Sequence, residues 1–337
     1  MSFTDNRYIF KGTYNSGTIV NSNFNRAHFV RITAGASEVT VTLKDKDSIQ
    51  TLGTVLIYST GETIIVEKKP EETISTDKTV YASGETGVLG GGGADNDSSE
   101  ITNAVSDAAT TLQTWYDGSD IEYLVPSGLS DGTGITQWQD QSAFAHNANA
   151  TGGATTRPAY RLNQINSLSA IDFDGLNDCL SINPVAWMQN LTGMSVMMVV
   201  KQDDLTGQQS FIISDQDDIG IKQNGTSVSV FMNGASATTG VTSNTTGAHV
   251  HTLVFDGTQT GNADRLKYRF DGSDATLGFT GTVPATISPS SGAIYVGCDD
   301  DTEILDGKIG EILIFNKALS SAEITDLEAY LTSKWGI

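Results

Sequence analysis

The sequence predicts an all-β protein of two domains, and three observations carry that prediction. Gly, Ser, Thr, Asn and Asp abound between short runs of Val, Ile, Tyr and Phe, which is the pattern of strands joined by tight turns. The stretch VLGGGGADNDSSE at 88–100 breaks the chain with residues that neither bury a face nor continue a ladder. The length, 337 residues, exceeds the usual span of one domain. With 38% hydrophobic and 18% charged residues, the chain is apolar enough to fold and too weakly charged to stay disordered. Residues 1–92 read as a small all-β domain, 93–111 as a glycine-rich hinge with a short helix, and 112–337 as a β-sandwich closed by a short C-terminal helix.

In the first domain, alternating segments fall at Tyr8 to Phe10, Phe29 to Thr33, Glu38 to Leu43, Thr54 to Tyr58, Thr63 to Glu67 and Thr79 to Ala82. Val39, Val41 and Leu43 share one strand face and Thr40, Thr42 and Lys44 the other, the period of a sheet with one wet side. After the glycine run, Ile101, Val105, Ala108, Leu112 and Trp115 recur at alternating spacings of 4 and 3, with Ser98 and Ser99 as candidate caps. This seam has two readings: a helix lying on the following domain, or a neck in which Ile101, Val105, Ala108 and Leu112 join subunits. Further strands are expected at Ala170 to Phe173, Met194 to Lys201, Gln209 to Ile213, Ser227 to Met232, His249 to Asp256, Leu266 to Phe270, Ala293 to Val296 and Lys308 to Phe315. The last helix carries a capping box, Ser320 with Glu323, and one apolar stripe of Ile324, Leu327, Leu331 and Trp335.

Formal charge is −21, and it is unevenly spread. Residues 1–95 hold 9 basic and 11 acidic side chains, net −2, which leaves 10 basic and 29 acidic, net −19, for the remainder. Such a surface repels phosphate backbones and anionic headgroups, so neither nucleic acid nor membrane is an expected partner. Met1 to Phe10 lacks the basic start and apolar core of a secretion signal, and the expectation is synthesis in a cytoplasm without export by the usual signal. Cys179 and Cys298 are too few for a disulfide framework; two reduced, buried thiols are the first expectation and a single bridge between them the alternative, since their separation in sequence decides nothing about pairing.

Several pieces of the second part form a recognisable set: LQTWYDGSD at 112–120, ITQWQDQSAFAHNA at 135–148, RPAY at 157–160, AIDFDGLNDCLSI at 170–182, TLVFDG at 252–257, and the ending DGKIGEILIFNKALSSAEITDLEAYLTSKWGI. Together they resemble the laminin-G-like, concanavalin A-like jelly rolls of bacterial surface proteins and phage virion proteins, over nearly all of 112–337. The resemblance implies a fold more than an activity, since such domains bind glycans, bind proteins or act as rigid spacers. In the first part, GTVLIYSTGETIIVEKKPEETISTDKTVYAS is similar to small β domains of phage structural proteins.

Chemistry-bearing residues are sparse. Jelly-roll glycosidases set carboxylates at alternate positions of one strand. Glu303, Asp306 and Glu311, at spacings of 3 and 5, do not reproduce that face. Two acidic clusters, Asp215, Asp217 and Asp218, and Asp299, Asp300, Asp301 and Glu303, are candidate calcium ligands, because hard cations take several loop oxygens. Apart from calcium no cofactor is expected. His249 and His251, two apart on a strand, lack a visible third zinc ligand, which favours packing. Gly90 to Gly93 lacks the Gly-Lys-Ser/Thr of a phosphate loop and reads as a hinge. Trp115, Trp138, Trp187 and Trp335 are candidates for sugar stacking, although three lie in motifs that build the core.

The resulting expectation is a non-enzymatic virion structural protein, a capsid decoration or tail-associated protein. Residues 1–92 dock on a major capsid or tail protein, and 112–337 are displayed at the virion surface for particle stabilisation or weak multivalent binding of host glycan. A homo-oligomer is expected, a trimer before a dimer. The alternatives are a bacterial cell-surface carbohydrate-binding module and a polysaccharide-degrading enzyme.

Overall fold

A computed structural model describes seven strands of the first part (14–17, 29–34, 39–44, 51–57, 63–67, 73–76 and 80–85) and residues 97–337 except 184–185, 215–217, 234, 240–245, 289–292 and 300–301. The chain divides into two compact units, the second of which takes in 98–337.

The first unit is built of two small antiparallel sheets. One orders its strands Tyr14–Gly17, Val80–Glu85, Phe29–Ala34 and Thr63–Glu67; the other orders Thr51–Ile57, Val39–Lys44 and Thr73–Thr76. Val41 is buried at the centre of its strand, as the alternation predicts. Strands Tyr14–Gly17 and Thr73–Thr76 carry no alternating apolar pattern and were not foreseen, while the expected strand at Tyr8 to Phe10 lies outside the described residues.

The second unit is a two-sheet sandwich, and the all-β prediction holds. Its nine-stranded sheet centres on Asp306–Phe315, which pairs with Gly193–Gln202 on one side. On the other side it pairs first with Leu168–Asp174 and then with Leu112–Asp117. The ten-stranded sheet runs from Leu277–Thr280 through Ala235–Thr239, Ser227–Met232, Ile219–Asn224, Gln208–Ser214, Ile294–Val296, Leu180–Ile182 and Ala148–Ala150 to Gln137–Trp138 and Leu124–Val125. Between the sheets pack Trp138, Phe173, Phe211, Phe255 and Ile312, alternate residues of strands whose opposite faces point outward.

A second core lies on the outside of the nine-stranded sheet. Met197, Val199, Leu313 and Phe315 face that way and are covered by Ile324, Leu327, Leu331 and Trp335 of the C-terminal helix Ser321–Trp335. The capping box forms as read: Ser320 N donates to Glu323 Oε2 at 2.8 Å and Glu323 N to Ser320 Oγ at 3.4 Å. Gly336, at φ 67°, closes the helix in the left-handed conformation that glycine adopts most cheaply.

Three expectations are corrected here. Ile101, Val105, Ala108 and Leu112 do not form an oligomer neck, because all four are buried in this second core of their own chain. The seam is also not one helix. It is Asp97–Ala104, then Ala108–Thr111, then the strand Leu112–Asp117, since the Thr110 and Thr111 hydroxyls bond back to the Asp107 carbonyl and LQTWYD is taken up by the sheet. The cysteines, expected as reduced thiols, are joined: Cys179 and Cys298 form a disulfide with Cα atoms 5.4 Å apart. They meet because Leu180–Ile182 and Ile294–Val296 are neighbouring antiparallel strands, with Leu180 opposite Val296.

Candidate functional site

The site is assembled around one buried carboxylate. Asp140 follows the strand Gln137–Trp138, and its two oxygens accept from Trp115 N (2.8 Å), Ser142 N (2.8 Å), Ser142 Oγ (2.7 Å) and His146 N (2.8 Å). A short acidic side chain that gathers neighbouring N–H groups fixes a loop without secondary structure. The hairpin loop 139–147 is held further by Gln139 N on the Tyr123 carbonyl and Gln141 N on the Trp115 carbonyl. Within it Ala145 adopts φ 57°, a left-handed conformation uncommon for a residue with a Cβ, and it separates Phe144 from His146.

The two rings nevertheless stack, with centroids 5.8 Å apart and planes 9° apart. His146 in turn lies 5.1 Å from the ring of Trp187 at 15°, making a stack of three aromatic rings. Trp187 reaches this position from the turn Ala186–Met188, which follows the strand Leu180–Ile182. Because Ala148 is registered opposite Ile182, the end of the 139–147 loop and the start of the segment after Ile182 meet at one rim of the sandwich. Phe144 is 40% exposed, and Trp187 is half-buried. His146 donates from Nδ1 to the Gln113 carbonyl at 2.8 Å, which leaves Nε2 available as its other polar atom.

A polar row leads away from the rings across the outer face of the ten-stranded sheet. Gln137 Nε2 donates to Asn149 Oδ1 (2.8 Å), and both side chains are on the outside of the sheet, where Asn149 is exposed. Asn149 is registered with Ser181, and Ser181 with Tyr295. Ring faces bordered by amides and hydroxyls are a surface for ligands that carry both C–H faces and hydroxyl groups.

Residues singled out in the sequence fall elsewhere. Trp115, Trp138 and Trp335 are buried in the two cores, and of the four tryptophans it is Trp187 that joins the rim stack. Glu303 and Glu311 lie on opposite sides of the sandwich. Glu303, at φ 48°, turns its carboxylate to Lys222 Nζ (3.0 Å) on the outer face of the ten-stranded sheet. Glu311 is buried beneath the C-terminal helix, accepting from Trp115 Nε1 (2.9 Å), Trp335 Nε1 (2.8 Å) and Tyr330 hydroxyl (2.7 Å), with Lys334 Nζ at 2.9 Å. Burial pushes its carboxyl above the usual range. No carboxylate pair spans a common cleft from these positions.

Of the calcium candidates, Asp215, Asp217, Asp300 and Asp301 lie outside the described residues. Asp299 exchanges backbone hydrogen bonds with Thr302, and the Glu303 carboxylate lies 3.0 Å from Lys222 Nζ. Asp218 accepts at its backbone carbonyl from Asn233 N. Among the described residues no group of three or more ligating side chains converges on one point. His251 packs inside the sandwich, with Nδ1 2.6 Å from the Tyr268 hydroxyl and its ring edge-on to Phe211 and Phe270. Burial, assisted by the charge of His249, lowers its pKa from 6.5 to about 3. His249 itself lies 2.8 Å from Asp271.

Phe144 and His146 lie within ITQWQDQSAFAHNA at 135–148 but are not among the site residues that the sequence analysis predicts. The available signal was a buried-type Asp followed by two aromatic rings at i+4 and i+6 in a loop rich in small residues.

No family model matches the chain, and no curated protein matches it in sequence. Solved structures similar to it include the CBM40 of a Ruminococcus gnavus IT-sialidase bound to α2,3-sialyllactose, at 11% identity over 43% of this chain and 85% of that one, TM-score 0.35. A Trypanosoma rangeli sialidase in complex with the inhibitor DANA is similar at 11% identity over 81% of this chain and 43% of that one, TM-score 0.43. A structure concerned with cell entry of botulinum neurotoxin type C through two ganglioside molecules is similar at 11% identity over 67% and 52%, TM-score 0.41. The chain therefore spans under half the length of that sialidase, and the reading of function comes from its own residues.

Proposed function

We propose that the sandwich is a non-catalytic carbohydrate-binding module whose contact surface is the Phe144, His146 and Trp187 stack with the adjoining Asn149 and Gln137. The observation that carries this reading is an exposed ring backed by two parallel rings on a loop locked by Asp140. An aromatic held open to solvent in this way presents an electron-rich face to sugar C–H groups at little further entropic cost. The separation of Glu303 from Glu311 across the sandwich supports binding without hydrolysis.

The first unit is the anchor in this proposal. It is compact on its own and nearly neutral, against −19 for the remainder of the chain. It docks the protein on a major capsid or tail protein, so that repeated copies at a virion surface turn weak sugar contacts into avid attachment. Oligomerisation, as a trimer or a dimer, belongs to this unit, because the apolar seam at Ile101 to Leu112 is consumed internally. A glycan array probed with the full chain tests the first claim: binding is expected, with loss in Phe144→Ala and no release of reducing ends. Retention of binding in that variant would remove the stack from the site. Particle co-sedimentation tests the second, since removal of residues 1–95 should abolish decoration.

A further inference from the structure

Three ionisable side chains from three separate elements meet where the C-terminal helix lies on the nine-stranded sheet, and neither the sugar surface nor the anchor uses them. Asp117 ends the strand Leu112–Asp117, Glu311 is registered opposite it on Asp306–Phe315, and Lys334 comes from the last turn of Ser321–Trp335. Lys334 Nζ lies 2.6 Å from Asp117 Oδ2 and 2.9 Å from Glu311 Oε2, and both carboxylates are fully buried. From this triad we infer that the folded chain cross-links itself: Lys334 and Asp117 condense to an isopeptide bond, with Glu311 carrying the protons. The ion pair is the reactant state of that step.

The two oxygens of Asp117 have different surroundings. Oδ1 accepts from Ser119 N (2.8 Å) and Ser119 Oγ (2.7 Å), two donors that stabilise the charge growing on that oxygen as Nζ adds to Cγ. Oδ2 faces the amine and is the oxygen that leaves. Glu311 is held by Trp115 Nε1, Trp335 Nε1 and the Tyr330 hydroxyl, which fix Oε2 beside Nζ. Burial raises its carboxyl above the usual range, which suits a group that must take up a proton and return it. The step balances without oxidant or cofactor. One ammonium proton passes to Oδ2, the neutral amine forms the Nζ–Cγ bond, a second proton moves through Glu311 to Oδ2, and the Cγ–Oδ2 bond breaks as water leaves. Glu311 ends as it began. Two buried carboxylates around one ammonium leave charge uncompensated away from water, and condensation removes one carboxylate together with the ammonium. Reactants held in contact by the fold behave as though at very high concentration. The Lys334 side chain keeps 11% exposure, which gives the released water an exit. The bond would tie the strand that opens the sandwich to the helix that closes it, 217 residues apart.

The test is the intact mass of the full chain after reduction and alkylation of its cysteines, followed by peptide mapping. The mass should fall short of the sequence by one water, and digestion should yield a branched peptide that joins Asp117 to Lys334. Lys334→Arg keeps a cation beside both carboxylates but removes the attacking amine, and it should have the full mass. Glu311→Gln, with folding checked by near-ultraviolet circular dichroism, should slow bond formation at least about 100-fold. If that variant does not fold, Lys334→Arg decides alone. A folded wild-type chain of full mass would overturn the inference. So would a missing water that persists in Lys334→Arg, because Asp117 precedes Gly118 and an Asp-Gly succinimide loses the same mass. Cross-linking of folded Glu311→Gln at the wild-type rate would overturn the role given to Glu311.

Discussion

His251 shows what a single side chain contributes when the sheet turns it inward. It is an ionisable group in an aromatic cage, with a pKa lowered from 6.5 to about 3 by burial. The unfolded chain therefore binds a proton that the folded one refuses, and stability is complete above pH 6.5. It falls as pH drops from there toward 3, by about 1.4 kcal/mol per pH unit. Urea titrations at pH 7 and 5 should reveal this loss, and His251→Gln should have a slope smaller by one proton. Glu311 is the opposite case, a buried charge surrounded by partners: two indole N–H groups, a phenol and Lys334, which also reaches Asp117 at 2.6 Å. Removing the cation strands two buried carboxylates, so Lys334→Met should lower unfolding free energy by about 3–5 kcal/mol. An unchanged denaturation midpoint would show that the indole and phenol donors suffice.

At the scale of elements, the segment before the sandwich is part of its core. Ile101 and Val105 are fully buried against the nine-stranded sheet, with Ala108 and Leu112 beside them. A chain beginning at residue 112 should be less stable than one beginning at 98 by about 4 kcal/mol, from the burial of one Ile, one Val and one Ala. Val105→Asp should unfold the sandwich while leaving any oligomer of intact chains a matter for the first unit. Thermal melts and light scattering on these variants separate the two effects. Dissociation without loss of melting temperature would restore the neck. The C-terminal helix acts in the same layer: its stripe covers Leu313 and Phe315, and the Trp335 ring packs so closely over Gly310 that a Cβ there would sit 2.9 Å from it.

Across the whole molecule, the chain is an electrostatically lopsided pair. A near-neutral β unit precedes a sandwich in which six of the ten cations of residues 98–337 are ion-paired, so its 28 carboxylates dominate its field. The disulfide Cys179–Cys298 closes a loop of 119 residues within that sandwich. Loop closure of this size restrains the unfolded chain, and reduction, or Cys179→Ser with Cys298→Ser, should lower stability by about 2–4 kcal/mol. Guanidinium melts with and without reductant would check it. Equal midpoints would show that the bridge is incidental to the fold.

Short-range patterning was enough to read the class of fold, the principal strands and the last helix. Period-2 alternation, turn residues and a Ser-x-x-Glu box are local signals, and Ser227–Met232, Leu266–Phe270 and the Ser320 cap fall where they point. The jelly-roll motifs also marked Asp140 and its loop. What waited on tertiary structure was every decision between distant segments. Leu112 and Trp115 continue a helical spacing yet enter a strand, because Asp306–Phe315, far along the chain, offers them an edge. Two thiols meet because strands beginning at Leu180 and Ile294 are neighbours. Phe144, His146 and Trp187 become one surface because Ala148 is registered with Ile182. Local sequence determines which face of a strand is apolar; which strand lies beside it depends on packing over the whole sandwich, and the candidate site is a product of that pairing.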